Sequence, residues 1–195
     1  MKLSREFYQR SALEVARDLP GLILVHDGRE GRTKGRIVEV EAYMGDLDTA
    51  AHSYHNRSSR TQIQYGEGGY AYIYLIYGMY YCMNIVTNTV DVPEVVLLRA
   101  LEPLDGIDLM KERRKTDKLS NLCSGPGKLC AAMGIDKTHY GIDLCQNELY
   151  LERPEDGRIM EIVASKRINI DYAGEAKDYL WRYTIKDNRF VSVKN

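Results

Sequence analysis

Glu39, Glu41 and Tyr43 occupy every second position of the segment "RIVEVEAY", residues 36–43, and six of the chain's 15 tyrosines fall between positions 70 and 81. In an extended strand successive side chains point to opposite faces. Both carboxylates and the Tyr43 ring therefore share one face, and Val38, Val40 and Ala42 share the other. Taken alone, the acidic side of such a strand is a solvated face. The tyrosines make a different demand. A buried phenol hydroxyl costs free energy without a hydrogen-bond partner, so a core built only for packing would use Phe or Leu. The run "YAYIYLIYGMYYCMN" asks for flat aromatic faces that also stay wet; a strand whose tyrosines merely pack with their hydroxyls at the surface is the simpler account.

Other reactive residue types are sparse. The cysteines, Cys82, Cys123, Cys130 and Cys145, form no C-x-x-C pair, and reduced thiols are expected. His52 and His55 are the only closely spaced histidines, too few for a ligand set, so neither a metal nor a cofactor is expected. The net charge of −1 argues against a protein that coats nucleic acid by bulk electrostatics, although local basic clusters occur at 29–36, at Arg57 and Arg60, and at 111–118. Charge clusters of this kind are most often solvated faces.

The elements that must position these groups are legible from turn and cap signals. A chain of 195 residues suits one domain, 1–195. Ser11 and Glu14 form a capping box and Pro20-Gly21 a stop, which predicts a helix over 11–19. "GLILVH" reads as a strand, Asp27-Gly28 as a turn, and 36–43 as the returning strand. Residues 44–69 read as a long loop. Strands follow on either side of Gly78, then at "EVVLLRALEP". The character turns helical from Leu104, with a second helix opening at Pro126 and closing at Gly134. "ELYLERP", "RINIDYAG", "WRYTIKD" and "RFVSVKN" return to strands, the last two joined at Asp187-Asn188. The order predicts an α+β fold. No apolar run reaches the length of a membrane span and the amino terminus has no signal-peptide pattern, so a cytoplasmic protein without membrane contact is expected.

In sequence order, "GRIVEVEAYMG", "AAHS", "YIYLIYGMYYCMN", "LLRALEP" and "LCSGPGKLC" resemble the motifs of the alkyladenine (3-methyladenine) DNA glycosylase family, in register from about Ala12 to Val193. The resemblance implies a curved antiparallel β-sheet, partly barrel-like, flanked by helices. It implies hydrolytic removal of alkylated or deaminated purines from damaged double-stranded DNA by a monomer, with the target nucleotide extruded from the stack. By resemblance Glu41 is the general base that primes water, and Arg99 lies beside that water and keeps Glu41 ionised. A structural ion pair is the other reading of Arg99. Tyr43, His52 and Tyr74 would surround the extruded base, and Asn84 would crowd the exocyclic amine of guanine. Tyr77 would enter the gap in the helix, with Met79 and Tyr80 as further DNA contacts. Arg57, Arg60, Lys128 and Lys137 match DNA-contacting positions.

The segment "RSSRTQIQYGEGG" departs from the family pattern: Ser59 replaces a proline and Glu67 adds an acid, which would weaken binding if that loop faced DNA. No lysine is placed to act as a nucleophile, so an enzyme without strand-cleaving lyase activity is expected. The competing readings are a non-catalytic nucleic-acid-binding module with an aromatic stacking surface and a small-molecule-binding β domain. Glu41 and Arg99 speak against the binder, which has no use for a carboxylate against its anionic ligand, and a small-molecule pocket would show no DNA dependence.

Overall fold

A computed structural model describes residues 2–194. The short helix α1 (Arg5–Tyr8) leads into α2 (Ala12–Asp18), which starts at the expected capping box: Ser11 Oγ accepts from the Glu14 backbone N–H and the Glu14 carboxylate accepts from that of Ser11. The strands β1 (Ile23–Gly28) and β2 (Gly31–Tyr43) form an antiparallel hairpin, but its turn lies at Arg29 and Glu30. Asp27 and Gly28 are paired within the ladder, opposite Arg32 and Gly31. The Asp27–Arg32 ion pair spans the two strands in this register.

After the 44–69 segment, which holds 3-10 turns at Gly45–Leu47 and Gln62–Tyr65, come β3 (Ala71–Ile76), β4 (Tyr80–Thr87) and β5 (Glu94–Asp105). Helices α3 (Ile107–Arg114) and α4 (Pro126–Met133) follow; Pro126 opens α4 and Gly134, at φ 71°, closes it as expected. The chain ends with β6 (Leu149–Glu152), β7 (Ile162–Ser165) and β8 (Arg182–Ile185). The result is an α+β fold on one antiparallel sheet in the order β3-β4-β5-β2-β1-β6, with β8 joining β2 and β7, and the sheet is not closed into a barrel. No helix among the described residues is long and apolar enough to cross a membrane.

One face of β3, β4 and β5 supplies Ala71, Ile73, Met83, Ile85, Val96 and Leu98 to the main core, where they meet α2 and α4. The opposite face carries Tyr72, Val86 and Val95 with Tyr43, Tyr70 and Tyr74 packed against them. Alternation in the tyrosine run thus sorts aliphatic from aromatic as the sequence predicts.

The same rule fails within β2. Val38 packs with Ala100, Ile185 and Phe190, whereas Val40 and Ala42 join the main core. The cause is a pair of offsetting irregularities: Ile37 pairs with Leu101 and Glu39 with Ala100, which leaves Val38 as an extra residue, and Val40 then pairs with Leu98, which leaves Arg99 out of the ladder. A bulge re-aims the side chains around it. Glu39 and Glu41 are both completely buried, so the acidic side of β2 is not a solvated face.

Two other expected strands do not form. "RINIDYAG" is irregular: Asn169 adopts φ 58° and Arg167 is buried against Asp48. "RFVSVKN" is irregular as far as it is described, residue 195 lying outside the described residues; Phe190 enters the Val38 cluster and the Ser192 N–H donates to Glu39 instead of to a strand. Backbone N–H groups of both segments donate to the buried glutamates, Ile168 to Glu41 and Ser192 to Glu39. Besides β2, β8 pairs with β7, which starts six residues before Ile168.

Candidate active site

On the aromatic face lies a cavity of about 560 Å³, within the range of small-ligand sites. Tyr43 from β2, Tyr72 and Tyr74 from β3, Asn84 from β4 and Arg99 from β5 line it, together with His52 from the long loop. The first residues of α4, Gly125 to Lys128, and the segment 168–170 with Tyr172 complete the rim.

The aromatic wall is internally braced. The Tyr72 and Tyr74 rings lie 5.5 Å apart at a 33° tilt, and His52 meets Tyr74 edge-on at 4.7 Å. His52 Nδ1 is 3.1 Å from the Tyr72 hydroxyl. The Arg60 guanidinium sits 5.0 Å from the Tyr74 ring centre. Burial, with Arg60 adding to it, pulls the His52 pKa down to about 4, so the imidazole is neutral at pH 7. Tyr43 has the Arg167 guanidinium 4.7 Å over its ring. Arg167 in turn is fully buried and bonds both carboxylate oxygens of Asp48 and the carbonyl of Ala42.

Directly behind this wall is Glu41. It does not itself line the cavity, but its three partners do: Oε1 accepts from the Ile168 N–H at 2.7 Å, and Oε2 accepts from the Tyr43 hydroxyl at 2.9 Å and from Arg99 Nη1 at 3.5 Å. Glu39 lies alongside, with Arg99 Nε donating to it at 3.0 Å. Arg99 favours ionisation of Glu41, as expected, but it does not set the net shift. The closer Arg99 contact is to Glu39, and burial outweighs the attraction of Arg99, the Ile168 N–H and the Tyr43 hydroxyl, so the Glu41 pKa is raised. Burial also disfavours charge on Glu39, but Arg99, the Ser192 N–H and Arg182 together overcome it and hold Glu39 below the ordinary value. The ion-pair reading of Arg99 holds as well, since it contacts both carboxylates.

The β3–β4 hairpin extends beyond the cavity mouth. Tyr77 and Gly78 both have positive φ, at 54° and 69°, and Met79 N–H donates to the Ile76 carbonyl, the pattern of a two-residue type I′ turn. A glycine suits that backbone, but a tyrosine there is strained. Tyr77 is 78% and Met79 65% exposed. Tyr80 packs back on Gly127, where an added Cβ would come within 2.9 Å of the Tyr80 Cβ.

Asn84 is buried in the cavity wall, its Nδ2 donating to the Tyr72 carbonyl at 3.2 Å. Lys128 stands at the rim and donates to Asn121 Oδ1 at 2.6 Å. Arg57 is drawn off to Asp91 and stacked on Tyr65, and Lys137, exposed in the turn Lys137–His139, does not line the cavity. Glu67 is bound by Gln9 and Arg5. Within the basic clusters at 29–36 and 111–118, Lys34 pairs with Glu152, Arg36 with Asp156 and Arg113 with Glu30. Gln64, Tyr172 and the Asp48–Arg167 pair belong to the site without having been legible. Gln64 is the clearest of these: its carboxamide is buried in the cavity wall, beside the Tyr72 hydroxyl. The four cysteines are free, and no cluster of His, Cys, Asp or Glu among the described residues could hold a metal ion.

All five segments that carry the sequence resemblance therefore meet at one cavity, and the methylpurine-DNA glycosylase family model matches residues 6–189. The chain belongs to this family. Relatives named "Putative 3-methyladenine DNA glycosylase" include proteins of Alkaliphilus oremlandii, 53% identical over 204 residues and the whole of both chains, and of Clostridium novyi, 53% identical over 202 residues and 99% of each. A Clostridium acetobutylicum protein of the same name is 50% identical over 202 residues, 99% of this chain and 98% of its own.

Proposed function

We propose that this family member is a DNA glycosylase that swings an alkylated or deaminated purine, such as 3-methyladenine, out of duplex DNA and hydrolyses its N-glycosidic bond with a water activated by Glu41. It acts as a single domain and a monomer in the cytoplasm, without lyase activity. The observation that carries this reading is a fully buried carboxylate bonded to Tyr43, Ile168 and Arg99 at the back of an aromatic cavity.

The cavity chemistry suits a damaged base. An alkylated purine is often cationic, and a cation is attracted to the faces of tyrosine rings. His52 is neutral and adds no repulsion. Stacking on Tyr43 and Tyr74 returns about 1–3 kcal/mol per base, comparable to the few kcal/mol spent on extrusion. Asn84, fixed through its Nδ2, would exclude the exocyclic amine of a normal guanine.

For the chemical step, a carboxylate with raised proton affinity is well matched to removing a proton from water, provided the pH lies above its pKa. The Arg99 contact is the longest of the three to Glu41 and is where water would reach Oε2. As the bond breaks, positive charge grows on the sugar and the nearby anion stabilises it. Tyr77 on its strained, projecting turn would fill the vacated stack, with Met79 and Tyr80 beside it in the minor groove. Arg60 and Lys128 near the cavity, and Arg57 and Lys137 away from it, would meet the DNA backbone.

The test is release of free base from methylated duplex DNA by wild type and Glu41→Gln. Release is expected to fall about 10²–10⁴-fold while DNA binding, followed by gel mobility shift, is retained. Equal release by both proteins would refute the role of Glu41; no release by either would favour a binding module.

A further inference from the structure

Glu39 is the second buried carboxylate, and its surroundings differ from those of Glu41 in kind. Its Oε1 accepts from Arg99 Nε at 3.0 Å and from Arg182 Nε at 2.8 Å, and its Oε2 accepts from the Ser192 backbone N–H at 2.6 Å. Two guanidinium groups and an amide therefore converge on one acid. A guanidinium can present two parallel N–H bonds to a single carboxylate. Arg99, displaced from the ladder at the β5 irregularity, instead divides itself between two acids, with the shorter contact to Glu39 and the longer one, 3.5 Å, to Glu41.

We infer that Glu39 is a positioning residue that holds Arg99 to a long contact with Glu41 Oε2, so that Arg99 competes only weakly with a water that gives this oxygen its proton. This rests on the reading that Glu41 activates water. The two acids are held on opposite sides of the ordinary carboxylate value, Glu39 below and Glu41 above, and neighbouring carboxyls whose environments separate them in this way take different roles. The negative charge of Glu39 also opposes ionisation of Glu41 directly. Arg99 and Tyr43 against Glu41, and Arg167 and Tyr172 near it, are the other titratable or charged groups that act on it. A glutamine at 39 would remove both influences: Arg99 could close on Glu41, and the repulsion would vanish.

The experiment is the pH dependence of single-turnover base release from methylated duplex DNA by wild type and Glu39→Gln. Glu41 works only when ionised, so the rate falls as pH falls through its pKa. In Glu39→Gln that acid limb should move down by about one pH unit, with a lower plateau above it. A lower plateau with an unmoved limb would mean that Glu39 only braces the fold, and would overturn the inference. Should Glu39→Gln fail to fold, Glu39→Asp keeps the charge but retreats from Arg99, and a smaller shift in the same direction is expected; an unmoved limb overturns the inference there too. Carboxyl ¹³C titration of the wild type should show Glu39 ionising at lower pH than Glu41, and the reverse order also overturns it. If wild type releases no base, the glycosylase reading fails, and a downward shift of the Glu41 resonance titration in the position-39 variant decides the electrostatic part separately.

Discussion

The β3–β4 hairpin has two ends built from the same residue type. At the inner end Tyr72 is 1% exposed, its hydroxyl bonded to His52 and its ring tilted against Tyr74. At the tip Tyr77 is 78% exposed on a positive-φ backbone, next to a glycine with no atom within reach of an added Cβ. The inner rings rest on β4, β5 and the loop that carries His52, so their positions are set by neighbours on several sides. The tip is set by the turn alone. A tyrosine thus serves as a fixed wall where long-range contacts surround it, and as a projecting wedge where local backbone geometry holds it out.

Removing the brace behind the wall should have the largest effect. Asp48→Ala leaves Arg167 buried without its acid, and loss of one partner of a buried ion pair costs about 3–5 kcal/mol. The urea unfolding midpoint should fall accordingly, since Arg167 also lies over Tyr43 and bonds the Ala42 carbonyl. An unchanged midpoint would show that the wall stands without this pair.

A smaller effect should separate the two ends. Tyr74→Ala is expected to weaken capture of the damaged base by about 1–3 kcal/mol, read as a higher KM. Tyr77→Gly should instead raise fold stability by about 1 kcal/mol by relieving positive φ while weakening DNA binding. If both variants lost stability alike, the division into wall and wedge would not hold.

Near neutral pH the smallest effect is a pH slope. His52 titrates at about 4 in the fold against roughly 6.5 unfolded. Between those values the unfolded chain binds more protons, so stability contributed by the neutral ring is present above the unfolded value and declines as pH falls toward about 4. Thermal unfolding of His52→Asn should show a shallower decline across this window, whereas Tyr77→Gly should retain the wild-type slope.

Much of this could be read along the chain. The Ser11–Glu14 capping box, the Pro126 start and Gly134 stop of α4, and the sorting of Ala71 and Ile73 from Tyr72 and Tyr74 depend on residues a few positions apart, and their patterns carry over to the structure. The candidate residues Tyr43, His52, Tyr74, Asn84 and Arg99 do share one cavity, as the motif order implies. By contrast, nothing in "RIVEVEAY" reveals that Val38 and Arg99 drop out of the ladder, that both glutamates are buried, or that "RINIDYAG" supplies a buried cation and a backbone donor instead of a strand.

The sequence by itself determined where α2 and α4 begin, where α4 stops and how β3 sorts aliphatic from aromatic side chains, because those follow from backbone preferences and the two side-chain periods. Only the tertiary structure decided that Arg99 would be shared unequally between Glu39 and Glu41, and that Glu41 would be the acid with the raised proton affinity. The ionisation of a buried group depends on every charge and donor around it. For Glu41 those include Ile168, separated from it by 127 positions in the chain.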